Sequence, residues 1–255
     1  MRTMFIGGNW KMNLNARKSC ELVDELGSEQ GDVEDVDVAV FPPFVYVPQV
    51  AERLEGTNIG VGGQNMYPEN EGAFTGQIAP PMLLDVGCRY VIVGHSEPRH
   101  VMGETDEFIN QKMRKALEVG LEPILCVGEK LEQRKEGNAQ SVVERQVREG
   151  LEGVPESQMD TVTIAYEPVW AIGTGESASP EQADEMHREV RDIIADLYSD
   201  DAAQNIVIQY GGSVKPHNAQ DLLERDNIDG ALVGGASQQA DTFLPIIQTA
   251  LELSG

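Results

Sequence analysis

The chain is poor in basic residues. It has 19 lysines and arginines against 43 aspartates and glutamates, which gives a formal net charge of −24. Nucleic-acid binding requires a basic face that neutralises the phosphate backbone, and an anionic membrane surface attracts basic segments. We therefore expect neither a nucleic acid nor a membrane as a partner.

Cysteines and long apolar runs are also scarce. The three cysteines, Cys20, Cys88 and Cys126, are widely spaced, and this sparse, odd set predicts neither a disulfide framework nor a metal site. No run of eighteen apolar residues suggests a membrane span. The apolar start is too short for a signal peptide and is interrupted at residues 9–11. We expect a cytoplasmic protein.

What the chain does contain is one pattern repeated eight times: a short apolar run, a polar or glycine-rich signature, and a helical stretch. The runs lack polar alternation, which is typical of parallel strands buried on both faces. The predicted strands are Met4–Lys11, Val36–Pro43, Asn58–Asn65, Tyr90–Glu97, Leu121–Glu129, Val162–Val169, Asn205–Gly212 and Ile228–Gly235. Eight such units predict an α/β protein with one closed (β/α)8 barrel, a single domain over residues 1–255.

Two helices carry clear end signals. Ser179, Pro180 and Gln182 have the spacing of a capping box, which predicts a helix running to about Tyr198. Asn138 is the expected cap of another helix that ends near residues 150–153.

The polar signatures stand at the ends of the predicted strands. In a barrel of this type all strand C-termini open on one face, where active sites are built from the following loops. Lys11, His95, Glu167 and Gly234 are far apart in the chain, yet they should meet at that face. The fold alone does not identify the chemistry.

The polar signatures at the strand ends do identify the chemistry. In the order of the chain they are GGNWKMN at 7–13, GQNMYPENEGAFTG at 63–76, VGHSE at 93–97, AYEPVWAIGTG at 165–175, YGGSV at 210–214 and LVGGAS at 232–237. This set resembles the triosephosphate isomerase family over nearly the whole chain. The resemblance implies a TIM barrel and the interconversion of dihydroxyacetone phosphate and glyceraldehyde 3-phosphate through an enediolate, a step of glycolysis and gluconeogenesis. It implies no cofactor.

The resemblance also assigns four catalytic residues. Glu167 is the expected general base, and we expect burial to raise its pKa towards the working pH. His95 is the expected electrophile, with its pKa lowered by the positive end of a short helix so that the imidazole stays neutral. This tuning of the histidine is a known property of the resembling family and is carried over from it. Lys11 would stabilise negative charge on the substrate, and Asn9 would be a second polar donor.

Supporting roles follow from the same resemblance. They fall to Ile172 and Leu232 as an apolar clamp over the carboxylate, Glu97 as the partner of Lys11, Ser96 as a residue that orders the site locally, and Tyr210 as the latch of a lid over 168–178. Cys126 is a further expected supporting residue. Closure of a lid would exclude water from the reaction.

No arginine cluster is available to bind the substrate phosphate. The sequence instead offers backbone N–H groups at Gly173, at Gly212 and Ser213, and at Gly234 and Gly235, where a short helix after strand 8 would point its N-terminus at the anion. Tight-turn geometry alone also explains these glycines.

A long loop with an apolar tip follows the third strand. Its tip is Ala73, Phe74 and Thr75, and loops of this length in a compact barrel are usually functional. In the resembling family this loop inserts into a neighbouring subunit. We therefore expect a symmetric homodimer.

Three positions depart from the family pattern. Pro98 and Gln77 replace an arginine and a glutamate that form a charge pair between subunits, and Glu176 replaces a frequent lysine of the lid. Loss of both partners of a buried charge pair can leave stability nearly unchanged, whereas loss of one partner leaves the other charge buried without a counter-ion. We infer that this pair is absent and that the dimer depends more on packing of the loop.

Two alternatives stay open at this point. The phosphate glycines alone also fit another sugar-phosphate or amino-acid-pathway isomerase built on a barrel. A barrel retained as a binding or scaffold protein is the second alternative, although Asn9 and the catalytic set are intact. We expect the other histidines, His100, His187 and His217, to be core or exposed side chains, because none ends a strand.

The acidic surface leads to a prediction about salt. It either promotes solubility or reflects a cell with high internal salt, where screening relieves repulsion between like charges. Under the second interpretation, molar KCl raises the melting temperature in a thermal melt. A melting temperature that does not respond to KCl favours the first.

Overall fold

The computed structural model describes residues 2–29, 35–171 and 178–255. Eight parallel strands close into a barrel in chain order, with the last strand pairing with the first. The strands are β1 (Met4–Asn9), β2 (Val36–Phe41), β3 (Ile59–Gly63), β4 (Tyr90–Val93), β5 (Glu122–Val127), β6 (Thr163–Tyr166), β7 (Val207–Tyr210) and β8 (Gly230–Val233). The predicted (β/α)8 barrel is confirmed.

Helices follow the strands and surround the barrel. They are α1 (Ala16–Glu29), α2 (Val47–Leu54), α3 (Pro80–Asp85), α4 (Ser96–His100), α5 (Asp106–Val119), α6 (Leu131–Lys135), α7 (Ala139–Gly150), α8 (Pro180–Leu197), α9 (Asp200–Asn205), α10 (Ala219–Leu223) and α11 (Ala240–Ser254). Short 3-10 helices cover Phe44–Tyr46, Glu156–Thr161, Val169–Ala171 and Gly235–Gln238. Across the described ranges, no helix combines the length and apolar character that crossing a bilayer requires.

The apolar residues form two layers. A small cluster inside the barrel includes Phe5, Phe41, Tyr90, Cys126 and Leu232. A larger cluster fills the space between the strands and the helices. Both faces of each strand are therefore buried, which explains why the strand sequences are continuously apolar.

The predicted strands begin close to the observed ones but extend too far at their C-terminal ends. The third was predicted over Asn58–Asn65, whereas β3 ends at Gly63. The polar signatures leave the ladder, because their backbone and side chains build the loops at the mouth of the barrel.

The two helix predictions had different outcomes. The Ser179–Gln182 capping box is present, with Gln182 N–H donating to Ser179 Oγ at 3.3 Å and Gln182 Oε1 accepting from Ser179 N–H at 3.1 Å. Asn138 does precede α7, but its side chain makes no capping hydrogen bond, and its Nδ2 donates to Glu136 Oε2 at 3.3 Å instead.

Candidate active site

A cavity of about 590 Å³ opens at the C-terminal end of the barrel. Loops after β1, β4, β6, β7 and β8 contribute to it. Of the residues that the sequence assigned to the site, those lining it are Asn9, Lys11, His95, Glu167, Gly212, Ser213, Leu232, Gly234 and Gly235. The convergence predicted for the strand ends is therefore observed. In the described part of the chain, no group of three or more His, Cys, Asp and Glu side chains is arranged to hold a metal ion.

Glu167 and His95 are in direct contact at the base of this cavity. Their side chains are 3% and 6% exposed, and Glu167 Oε1 lies 2.9 Å from His95 Nε2. Glu167 Oε2 accepts a hydrogen bond from the Ser96 N–H at 2.9 Å. The first backbone N–H of α4 thus binds one oxygen of the carboxylate, and the imidazole binds the other.

The pKa of Glu167 lies below the ordinary glutamate value, contrary to the sequence-based expectation. Burial does raise it, as expected, but the contact with His95, the Ser96 N–H and the charge of Lys11 together outweigh burial. The sequence revealed the desolvation but could not give the distances to these three stabilising groups.

The expected lowering of the His95 pKa is not observed either. Burial opposes the protonated form, but the carboxylates of Glu167 and Glu97 outweigh it, so the pKa of His95 is raised. Nδ1 of His95 accepts from the Glu97 N–H at 3.3 Å, which leaves Nε2 to carry a proton and donate to Glu167. Removal of the Glu167 contact would leave burial as the dominant influence on this pKa.

Lys11 occupies a strained backbone position. Its φ of 53° lies in the left-handed region, which residues other than glycine adopt only at a cost in conformational energy. Asn9 Oδ1 accepts from the Lys11 N–H at 3.0 Å, and Gln64 Nε2 donates to the Lys11 carbonyl at 2.8 Å. The Lys11 Nζ lies 2.8 Å from Glu97 Oε1, so Glu97 is its partner as predicted.

Other supporting residues lie around the carboxylate. Cys126 is fully buried, and burial together with the nearby Glu167 carboxylate keeps the pKa of its thiol well above the ordinary value. Leu232 lines the cavity as an apolar wall, and Tyr210 is buried, which raises the pKa of its hydroxyl to about 12. Ile172 and Gly173, like most of the predicted lid, lie outside the described residues, so their roles stay predictions.

The side of the cavity formed after β7 and β8 carries the predicted phosphate glycines. The 3-10 helix Gly235–Gln238 begins directly after β8, as expected, and Ser237 Oγ donates to the Gly234 carbonyl at 2.7 Å. Gly212 lies against the Tyr210 hydroxyl, with which a side chain at position 212 would collide. The turn-geometry explanation of these glycines therefore holds at Gly212 whether or not it binds phosphate.

Sequence reasoning missed several residues that position Glu167 and the segment after it. A Cβ at Gly128 would lie 1.7 Å from the Glu167 carbonyl oxygen, and a Cβ at Gly211 would lie 2.7 Å from Glu167 Cγ. The buried Glu129 carboxylate accepts hydrogen bonds from Tyr166 Oη at 3.1 Å and from Trp170 Nε1 at 2.8 Å. Gly128, Glu129 and Gly211 all follow a strand in the signatures CVGE and QYGGS, which was the available signal.

The loop after β3 packs its apolar tip against other residues of the same chain. The ring of Phe74 lies 4.3 Å from that of Tyr67, which in turn lies 5.6 Å from Phe108. Phe74 nevertheless stays 39% exposed. Gln77 is exposed, and Pro98 is buried in the first turn of α4, as its tolerance at such positions predicts.

Comparisons with known proteins agree with this geometry. A family model described as triosephosphate isomerase matches residues 4–250. The triosephosphate isomerase of Chloroflexus aurantiacus is 51% identical over 97% of this chain and 99% of its own length. That of Carboxydothermus hydrogenoformans is 51% identical over 98% of this chain and 100% of its own. That of Roseiflexus castenholzii is 52% identical over 97% of each.

The close packing at Gly211 gives a test of the site. Gly211→Ala places a methyl group against Glu167 Cγ and displaces the carboxylate. Because a shift of about 1 Å can cost about 100-fold in rate, we expect kcat to fall by about 10- to 100-fold. Gly27→Ala is the control, since its Cβ would meet Thr57 Cγ2 only at 3.6 Å. Unchanged kcat in Gly211→Ala, measured by steady-state kinetics, contradicts the proposed positioning.

Proposed function

We propose that Glu167 removes the carbon-bound proton, and that His95 and Lys11 stabilise the resulting charge, in a chain that belongs to the triosephosphate isomerase family. The function of the chain is accordingly triose-phosphate isomerisation, the exchange of dihydroxyacetone phosphate and D-glyceraldehyde 3-phosphate. Family membership decides the choice that the sequence left open between this enzyme, another barrel enzyme and a scaffold. The observation that supports the residue roles is the contact of Glu167 with His95 at 2.9 Å.

The substrate must take the place of this contact. Its reacting oxygens would accept from His95 Nε2, which now donates to Glu167, and the carboxylate would then face the neighbouring carbon. Leaving His95 and the Ser96 N–H removes two of the interactions that lower the Glu167 pKa, while burial, which raises it, remains. Glu167 therefore becomes a stronger base at the moment when it meets the carbon acid.

Proton transfer then proceeds without any external reagent. Glu167 takes a proton from carbon, and the electrons of that C–H bond form the enediolate. His95 Nε2–H donates to the oxygen that gains charge and moves a proton between the two oxygens. Glu167 returns its proton to the adjacent carbon, and the ammonium of Lys11 stabilises the negative charge in between.

The phosphate site is proposed on the side of the cavity formed by the segments after β7 and β8. Ser213, Gly234 and Gly235 line it, and the 3-10 helix that follows β8 supplies the backbone N–H groups of its first turn. This is the side of such barrels that commonly holds a phosphate.

Glu167→Asp tests the assignment of the base. It keeps the carboxylate but retracts it by roughly 1 Å, and we expect the rate to fall by about 100-fold or more. The measurement is a coupled assay that starts from glyceraldehyde 3-phosphate, with Glu185→Asp on the exposed surface of α8 as the matched control. A rate in Glu167→Asp equal to that of the control excludes Glu167 as the base.

We also propose that the chain forms a homodimer through the loops after β1 to β4. The exposed large apolar side chains of the described residues are concentrated after these strands: Met12, Phe44, Val45, Phe74, Met82, Leu84, Val101 and Met102. These strands are neighbours in the barrel, so the segments that carry the exposed apolar side chains lie on one part of its circumference. Regions of this kind usually mark an interface.

Phe74→Asp tests the interface. The added charge would be buried in the dimer without a partner, so we expect a shift towards monomer and a melting temperature that rises with protein concentration. Leu131→Asp is the control, because Leu131 is 41% exposed, close to the 39% of Phe74, but follows β5. The measurement is analytical ultracentrifugation. The proposal is overturned if the two variants associate to the same extent, or if the parent protein is a monomer.

The expected cytoplasmic location stays a proposal. The three cysteines are free thiols, as a reducing compartment favours. Cell fractionation tests it, and recovery outside the cytoplasm would refute it.

A further inference from the structure

The mouth of the active-site cavity has the opposite charge balance to the chain as a whole. Acidic residues outnumber lysines and arginines 43 to 19 in the sequence. Among the described residues, however, the cavity is lined by two lysines, Lys11 and Lys215, and by a single acidic side chain, Glu167. The histidines His95 and His217 also line it. An anion approaching this cavity therefore leaves a repulsive surface and enters an attractive region.

The two inner basic groups are already engaged by carboxylates. Lys11 Nζ contacts Glu97 at 2.8 Å, and His95 contacts Glu167 at 2.9 Å. Lys215 and His217 are exposed, and their side chains have no hydrogen-bond or ion-pair partner in the part of the chain that the structure describes. The charge of Lys215 is thus uncompensated by any described neighbour.

The loop that carries these two side chains is closed by Asn218. Asn218 Oδ1 accepts from the Lys215 N–H at 2.8 Å, and its Nδ2 donates to the Ser213 carbonyl at 3.0 Å. Val214 is buried beneath the loop. These contacts hold Lys215 and His217 at the rim of the cavity, next to Ser213 on the proposed phosphate side.

We propose that Lys215 and His217 form a cationic rim that draws the substrate phosphate into the cavity and favours phosphorylated over neutral trioses. The proposal rests on the phosphate side assigned under the proposed function. A dianion gains twice the Coulomb energy of a single charge, and a cleft of one sign concentrates the field. The rim acts on encounter rather than on the proton transfers, so its effect appears in kcat/KM and not in kcat.

Lys215→Gln tests the rim, with Arg188→Gln on the exposed face of α8 as the control that removes one positive charge elsewhere. Two substrates are compared, glyceraldehyde 3-phosphate and unphosphorylated glyceraldehyde. The Debye length falls from about 10 Å at 0.1 M salt to about 3 Å at 1 M, so the ionic strength is varied over that range.

We expect Lys215→Gln to lower kcat/KM for glyceraldehyde 3-phosphate by about 3- to 5-fold at 0.1 M salt, with the loss fading towards 1 M. For glyceraldehyde, kcat/KM of Lys215→Gln should equal that of the parent. Arg188→Gln should match the parent for both substrates. His217→Lys, which fixes a positive charge at the rim, should raise kcat/KM for the phosphorylated substrate only.

Three results would overturn the proposal of a cationic rim. They are an equal loss for both substrates, a loss that persists at 1 M salt, and unchanged kinetics in both Lys215→Gln and His217→Lys. Circular dichroism melts of each variant establish that it is folded. Failure of the rim proposal can be told apart from failure of the base assignment. If Glu167 is not the base, Glu167→Asp has the same rate as its control, whereas the effect of Lys215→Gln still depends on the substrate phosphate and on salt.

Discussion

The active site depends on one buried contact, between the carboxylate of Glu167 and the imidazole of His95. The charged form of either group would be unfavourable alone at this depth, since burial raises the pKa of Glu167 and acts against protonation of His95. Together they offset the cost, and the Ser96 N–H binds the remaining carboxylate oxygen. The pair is thus stable while no substrate is between its members, and chemically active once a substrate separates them. The same burial that opposes charge in the pair then strengthens the base.

The barrel makes this contact possible because it brings the ends of β4 and β6 to one mouth, on either side of β5. Gly128 and Gly211 let the neighbouring backbone approach Glu167 closely, and no larger side chain would fit at either position without displacing it. The strained backbone of Lys11, held by Asn9 and Gln64, belongs to the same set of constraints. Strain of this kind at a functional site is tolerated because surrounding hydrogen bonds over-determine it.

Much of this arrangement could be predicted from the sequence, and the failures all concern the loops at the mouth of the barrel. Strand starts and the barrel topology follow from continuous apolar runs, and the Ser179 cap follows from spacing. Strand ends were placed too late because polar residues such as Gln64 and Asn65 are adjacent to the apolar run in the sequence but belong to the loop. The pKa directions of Glu167 and His95 were wrong because they depend on distances between residues from different loops. His217 was set aside because it ends no strand, yet it lines the cavity mouth.

The most direct test of the account is the titration of His95 followed by NMR of nitrogen-15-labelled histidine in the parent protein and in Glu167→Gln. The amide keeps the shape of the side chain but carries no charge, while burial and the charge of Lys11, which both act against the imidazolium, remain. If the Glu167 carboxylate raises the His95 pKa, this pKa is lower in the variant than in the parent. The same pKa in both proteins would contradict this role of Glu167.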